Sequence, residues 1–194
     1  MTRAFVLHAH PVPESFNAEL HARVLESLGA RGWELDDCDL YAEGFDPVLS
    51  REERRGYHDV ASNTAPVEDY VARLRAADAL VLVFPVWNFG YPAIMKGFFD
   101  RVFLPGVSFR IEDGKVAPAL ANIRRLAAVC TYGGSRLRAT LAGDPPRKVV
   151  TRALRYVCHR DVRMRYLAMY DMNRAADSAR AAFLSRVGRE MRSL

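Results

Sequence analysis

An α/β fold, built on one five-stranded parallel sheet with helices on both faces, is predicted by three features of the sequence. First, residues 79–84 read Ala-Leu-Val-Leu-Val-Phe, a short, nearly unbroken apolar run of the kind that central strands of a parallel sheet carry because both their faces are buried. Second, runs of this type alternate with segments of helical periodicity, as repeated strand, crossover helix and strand units with right-handed connections require. Third, the 194 residues are 50% hydrophobic, enough for the full core of one domain spanning 1–194 and too few residues for two ordinary domains.

The first strand covers residues 4–9. After a short turn, residues 17–28 place Leu20, Val24, Leu25 and Leu28 at helical spacing, and Gly29 and Gly32 end that helix. Residues 33–40 alternate as a half-buried second strand. Residues 41–64 are polar and carry the turn pairs Asp46-Pro47 and Ser62-Asn63, which predicts an excursion over the surface. A helix over 67–77 leads into the third strand at 79–84. Pro92 stands at the start of the next helix, 93–103, where its missing N–H does no harm. Residues 104–122 read as irregular, with a small hairpin around Glu112-Asp113-Gly114. The fourth strand is 125–131, and Pro145-Pro146 opens a helix reaching Cys158. The fifth strand is 162–169, and 177–191 closes the chain as an amphipathic helix carrying Phe183, Leu184, Val187 and Met191.

The net charge of +5 is unevenly spread: between Arg124 and Arg165 eleven basic residues stand against only Asp144 and Asp161, a local balance of +9. Such a field draws in a phosphorylated small molecule, nucleic acid or an anionic membrane surface, or is simply a solvated arginine-rich face. Nucleic acid is the weakest of these, because the aromatics lie in the apolar strands and one turn rather than interleaved with the arginines as a stacking groove requires. No window holds the ~18 uninterrupted apolar residues of a membrane span, and Met1-Thr2-Arg3 leads straight into a strand without a signal-peptide core. A cytoplasmic protein, not embedded in a membrane, is expected. Cys38, Cys130 and Cys158 are odd in number, far apart and outside any metal or redox spacing, so reduced, partly buried thiols and no metal site are expected.

In open sheets of this class, ligands sit beyond the carboxyl ends of the strands where strand order reverses. With a strand order of 2-1-3-4-5, the turns after strands one, three and four converge there. The first turn, His10-Pro11-Val12-Pro13-Glu14-Ser15-Phe16-Asn17, delivers the chain to a helix whose free N–H groups and dipole suit a phosphate; Ser15 or Asn17 can equally serve as a plain helix cap. The second follows the buried third strand and packs Trp87, Phe89 and Tyr91 with Gly90 and Pro92 into one tight shelf fit for a flat heterocycle, or simply anchors the turn to the core. The third, Thr131-Tyr132-Gly133-Gly134, lets a backbone approach a ligand closely, or is a tight turn and no more.

A phosphate at the first turn and a ring between the other two describe a flavin. Through His10-Pro11 with Ser15-Phe16-Asn17, then residues 85–101 with their Pro-Ala-Ile-Met-Lys-Gly-Phe-Phe-Asp-Arg core, then Thr131-Tyr132-Gly133-Gly134, the chain resembles the flavodoxin-like NAD(P)H:quinone oxidoreductases. That group comprises the DT-diaphorases, the modulators of drug activity and the potassium-efflux ancillary proteins. The resemblance implies a flavodoxin-like three-layer sandwich, a flavin cofactor (FMN or FAD) and NAD(P)H as co-substrate. It also implies a two-electron, ping-pong hydride transfer to a quinone-like small-molecule acceptor, and assembly as a homodimer with Tyr57, Tyr91 and residues 104–122 near the partner. By the same resemblance His10, Ser15, Phe16 and Asn17 hold the ribityl phosphate, Pro85, Val86, Trp87, Asn88 and Phe89 border the ring, Gly133 and Gly134 donate backbone N–H to its pyrimidine edge, and Thr131 and Tyr132 belong to the same cofactor site.

The sequence departs from the larger quinone reductases after the glycine pair. They carry a tyrosine and a histidine there, whereas residues 135–144 read Ser-Arg-Leu-Arg-Ala-Thr-Leu-Ala-Gly-Asp. No side chain is therefore assigned as general acid or base, and Arg136 or Arg138 is expected to offset the charge at flavin N1 or to bind the 2′-phosphate of NADPH, as arginine suits phosphate. The resemblance also leaves open a different class of role, an ancillary flavoprotein of a membrane transport system whose redox activity is incidental.

Overall fold

The computed structural model describes all of residues 1–194. Five parallel strands form the main sheet: β1 (Arg3–His8), β2 (Glu34–Asp39), β3 (Ala79–Val86), β6 (Arg125–Tyr132) and β7 (Arg163–Met169). They lie in the order β2-β1-β3-β6-β7. Two further strands, β4 (Phe109–Glu112) and β5 (Lys115–Pro118), pair only with each other, so the main sheet has the expected 2-1-3-4-5 order.

Alternation along the central strands divides their side chains between two cores. Phe5, Leu7, Leu80, Leu82, Phe84, Leu126 and Cys130 face one side. There they meet Val71 and Leu74 of α3 (Glu68–Ala76) and Met95, Phe98 and Val102 of α4 (Ala93–Val102). Ala4, Val6, Val81, Val83 and Val129 face the other, against Leu20, Val24 and Leu28 of α1 (Phe16–Gly29) and Phe183, Val187 and Met191 of α8 (Asp177–Arg192). β3 is buried along its whole length, which is why its sequence is an unbroken apolar run rather than an alternating one. Each of the Val, Leu, Phe and Met side chains among them contributes on the order of 1.5–3 kcal/mol by leaving water. No helix is long and apolar enough to cross a membrane.

The hairpin between β4 and β5 turns at Asp113 and Gly114, both at positive φ (50° and 74°), the backbone that a two-residue turn matched to strand twist requires. The predicted helix from Pro145 is continuous but wound in three ways: α6 (Pro145–Lys148), a π-helical stretch over Val149–Leu154 and α7 (Arg155–Val157).

Two short helices lie where the sequence analysis assigned none. α2 (Arg51–Gly56) sits inside the polar excursion and buries no residue, so no apolar period marks it. Its signal is the capping box: Ser50 accepts from the Glu53 amide at 3.1 Å while the Glu53 carboxylate accepts from the Ser50 amide at 2.8 Å. Glu53 also pairs with Arg101 of α4 at 2.7 Å, both side chains nearly buried. Burial pushes the Glu53 carboxyl up, but the Ser50 and Arg101 hydrogen bonds outweigh it and hold it below the usual range. α5 (Arg136–Leu141) follows Ser135, whose hydroxyl accepts from the Arg138 amide at 3.3 Å, and buries only Ala139.

The register places the site. Ala4 to His8 of β1 pair with Ala79 to Val83 of β3, and Ala79 to Val86 of β3 pair with Arg125 to Tyr132 of β6. β3 and β6 therefore end level, and the turns that follow them emerge side by side, next to the end of β1.

Candidate active site at the carboxyl edge of the sheet

The turn after β3 is built on strained backbone. Trp87 and Gly90 exchange both backbone hydrogen bonds, at 3.2 and 2.8 Å, and the two residues between them, Asn88 and Phe89, stand at φ 49° and 56°. For a phenylalanine that left-handed conformation costs roughly 1–2 kcal/mol, and such cost concentrates where a ligand is held. The sequence pointed to Gly90 and Pro92 as what shapes this turn; the structure gives Gly90 no positive φ and places the unusual backbone one and two residues earlier. Trp87 and Phe89 are 42% and 39% exposed. Tyr91 turns inward and donates to the Pro146 carbonyl at 2.7 Å.

The turn after β6 meets it. Val86, Trp87, Asn88 and Phe89 line one cleft of about 470 Å³ together with Tyr132, Gly133 and Gly134. A Cβ on Gly134 would have nothing within 4 Å, whereas one on Gly133 would touch the Asn173 side-chain amide at 3.0 Å. Pro85 and Thr131 pair in register one residue below the cleft and are buried within β3 and β6, so they support its floor rather than line it.

The turn after β1 stands at one side. Ser15 caps α1, its hydroxyl accepting from the Ala18 amide at 3.1 Å. The preceding first-turn amides of Phe16 and Asn17 have no intrahelical acceptor, as at any helix start. Asn17 is 3% exposed, and neither atom of its side-chain amide has a partner. Phe16 packs at the margin of the α1/α8 core. The His10 ring accepts from the Val12 amide at 3.1 Å and meets Trp87 edge-on, ring centres 5.8 Å apart, which joins the first turn to the second.

Under the cleft lies a hydrogen-bonded group that sequence reasoning did not assemble. The Tyr132 hydroxyl donates to Asp144 at 2.6 Å and stands 2.7 Å from the Tyr166 hydroxyl, while Tyr170 donates to Asp144 at 3.4 Å. Burial first, then the Cys130 thiol and the Asp144 carboxylate beside it, push the Tyr132 hydroxyl far above its ordinary value, so it stays protonated. Asp144, at φ 44°, lies 12 residues beyond Tyr132 and Tyr166 of β7 lies 34 beyond it, and no local spacing marks them. Of the two arginines expected near an anion, Arg138 lines a second cleft that shares Gly133 and Gly134 with the first; Arg136 does not line either. No cluster of His, Cys, Asp and Glu is arranged to hold a metal ion. The three cysteines are free and fully rather than partly buried.

The profile of a family described as having a flavodoxin-like fold matches residues 2–193. The chain is 32% identical over 157 residues to the NAD(P)H dehydrogenase (quinone) 1 of Rattus norvegicus, covering 73% of this chain and 57% of that protein. It is 30% identical over 135 residues to an uncharacterized NAD(P)H oxidoreductase of Escherichia coli K12, covering 69% and 66%. It thus spans less than two thirds of these relatives. Among solved structures, a protein of Streptococcus mutans UA159 superposes with a TM-score of 0.89 at 27% identity over 100% of both chains. The NAD(P)H:quinone oxidoreductase of Methanothermobacter marburgensis does so with a TM-score of 0.82 at 26% identity over 98% of both.

Proposed function

Because the chain belongs to the family of flavodoxin-like fold, we propose that it is a flavin-dependent NAD(P)H:quinone oxidoreductase, with FMN as the flavin and a quinone or similar flat acceptor as the second substrate. One observation carries the reading: the strained aromatic turn and the glycine pair meet around a single cleft of about 470 Å³, tied through the His10–Trp87 contact to the amino end of α1.

The residues present fit the group. A buried, unpartnered amide such as that of Asn17 costs about 1–3 kcal/mol unless a ligand or water meets it. Open space at Gly134 admits a ring edge to the backbone. Bound there, the flavin supplies hydride acceptance from the nicotinamide and delivery of two electrons to the acceptor.

The protein's part is binding and orientation. The free amides of the first α1 turn, with the positive end of the helix dipole, hold the ribityl phosphate beside Ser15, Phe16 and Asn17. Trp87 and Phe89, fixed on their turn, supply faces for the ring. Gly133 and Gly134 offer backbone N–H groups to its pyrimidine edge, where negative charge develops. Tyr132 keeps its proton, engaged in the hydrogen bond to Asp144, so it fixes the floor of the cleft, and we assign no side chain as general acid. In this reading both substrates would approach the flavin from the same side in turn, a ping-pong cycle.

The test is the purified protein itself. It should be yellow, release FMN on denaturation, and oxidise NADPH or NADH when given menadione. A colourless protein that takes up neither FMN nor FAD from an excess overturns the reading.

A further inference from the structure

Beside the proposed ring cleft lies a second one of about 480 Å³, lined by Gly133, Gly134, Ser135, Arg138, Asp171 and Arg174, with no hydrophobic residue among them. The two clefts share both glycines, so one turn of backbone is the common wall between an aromatic-lined space and a charged one. We propose that this second cleft binds an oxyanion carried by the substrate next to its flat ring, gripped by Arg138 and Arg174.

Two separate loops bring the arginines together. Arg138 stands in α5, directly after the glycine turn. Arg174 ends the short 3₁₀ turn Met172–Arg174 in the loop between β7 and α8. The loops are clamped by the Asp171 amide, which donates to the Gly134 carbonyl at 2.9 Å, and by Asn173 against Gly133. Asp171 holds this position at φ 52°, a left-handed backbone that its short polar side chain tolerates.

Neither guanidinium is spent on a neighbour: neither makes an ion pair or a side-chain hydrogen bond, and Ser135 bonds only the Arg138 backbone amide. The Asp171 carboxylate faces the same cleft and opposes an anion, yet two guanidinium groups against one carboxylate leave it positive. Planar guanidinium forks suit phosphate, sulfonate and carboxylate alike, and the +9 balance of residues 124–165 adds long-range attraction for any of them.

The placement of the substrate's ring rests on the flavin reading above; the anion cleft itself does not. Two sources of the anion share this chemistry: an acidic substituent on the acceptor and a phosphate of the nicotinamide donor. Arg138→Gln, Arg174→Gln and the double variant separate them. The acceptor arm compares anthraquinone-2-sulfonate with neutral menadione. The donor arm compares reduced nicotinamide mononucleotide with the uncharged N-benzyl-dihydronicotinamide. KM is measured in each arm, and equilibrium dialysis of anthraquinone-2-sulfonate gives its Kd.

For exposed pairs worth ~0.2–1 kcal/mol, each single variant should raise KM and Kd for the charged probe of at least one arm roughly two- to fivefold, and the double variant about tenfold. High salt should erase the difference. Values for the neutral probe and the flavin Kd should stay unchanged. Equal changes for charged and neutral probes, no change in either arm, or a weakened flavin Kd each overturns the proposal, the last by reassigning the arginines to the cofactor. If the protein takes up no flavin, arginine-dependent dialysis of anthraquinone-2-sulfonate still upholds the cleft while the flavin reading falls.

Discussion

His8 and His21 stack face to face, ring centres 4.2 Å apart and planes 6° from parallel, with a carboxylate at each ring's edge. His8 Nδ1 lies 3.0 Å from Asp39, and His21 Nε2 lies 2.8 Å from Asp37. The pair joins the end of β1 to α1, directly below the turn that carries His10. Burial, and then the facing His21, lower the His8 pKa from its ordinary 6.5, against the pull of Asp39 and Asp37. Asp39 is itself held below the usual carboxylate range: burial raises it, but hydrogen bonds from His8 and from the Ala42 and Tyr41 amides outweigh that.

The lowered His8 pKa fixes a sign. The unfolded chain binds this proton more readily than the folded one, so the contribution to stability is full above pH 6.5 and is lost as pH falls from there toward the folded pKa. The slope is at most about 1.4 kcal/mol per pH unit. Urea unfolding at pH 7.5 and 5.5 measures the loss, and His8→Leu, which leaves Asp39 its two backbone donors, should shrink it. An unchanged difference in that variant would place the pH dependence elsewhere.

Gly134→Ala separates the fold from the site. With nothing within 4 Å of the new methyl group and no positive φ at this position, the variant should unfold within about 0.5 kcal/mol of the parent, as a surface substitution does. Its methyl group enters the space the flavin edge needs, and flavin affinity should fall by tenfold or more, read by titrating flavin fluorescence. Loss of stability in step with affinity would refute this separation.

The strained turn makes a second, independent test. Phe89→Gly should be more stable than Phe89→Ala by ~1 kcal/mol, because only glycine adopts the φ of 56° without steric cost. Both variants remove the ring and should weaken flavin binding to a similar degree. Chemical denaturation, alongside flavin titration of the same two proteins, reads the two effects apart.

Burial pushes the thiols of Cys130 and Cys158 up to about 12 and that of Cys38 higher still. The reactive thiolate is therefore scarce at neutral pH. Native protein should react with a disulfide reagent only at the slow rate of local opening, while protein in denaturant should release three equivalents, one for each free cysteine. A single fast thiol in the native state would contradict the packing around it.

Elements that bury a continuous or periodic apolar face were legible in the chain. β3 announced itself because both its faces are covered, and α1, α4 and α8 because one side of each must leave water. The two helices that the pattern did not reveal, α2 and α5, bury almost nothing. α2 is fixed by a capping box and the Glu53–Arg101 pair, and α5 follows the Ser135 cap. Ser50-Arg51-Glu52-Glu53 was a signal present in the residues, since the cap is local; the pairing of Glu53 with a residue 48 positions away was not.

The same division runs through the site. Ser15, the aromatic turn and the glycine pair were identifiable because each acts through its own stretch of backbone: a cap, a tight turn, a close approach. The Tyr132–Asp144–Tyr166 group, the stacked His8 and His21, and the joining of Arg138 to Arg174 arose only when the sheet order set β6 beside β7 and β1 beside β2. Hydrophobic periodicity is written in consecutive residues, whereas a hydrogen bond or a charge pair between distant segments depends on which strands become neighbours. That is why the sequence alone determined the layers, the strand ends and the turns that meet there, and only the tertiary structure decided which polar groups share a cleft.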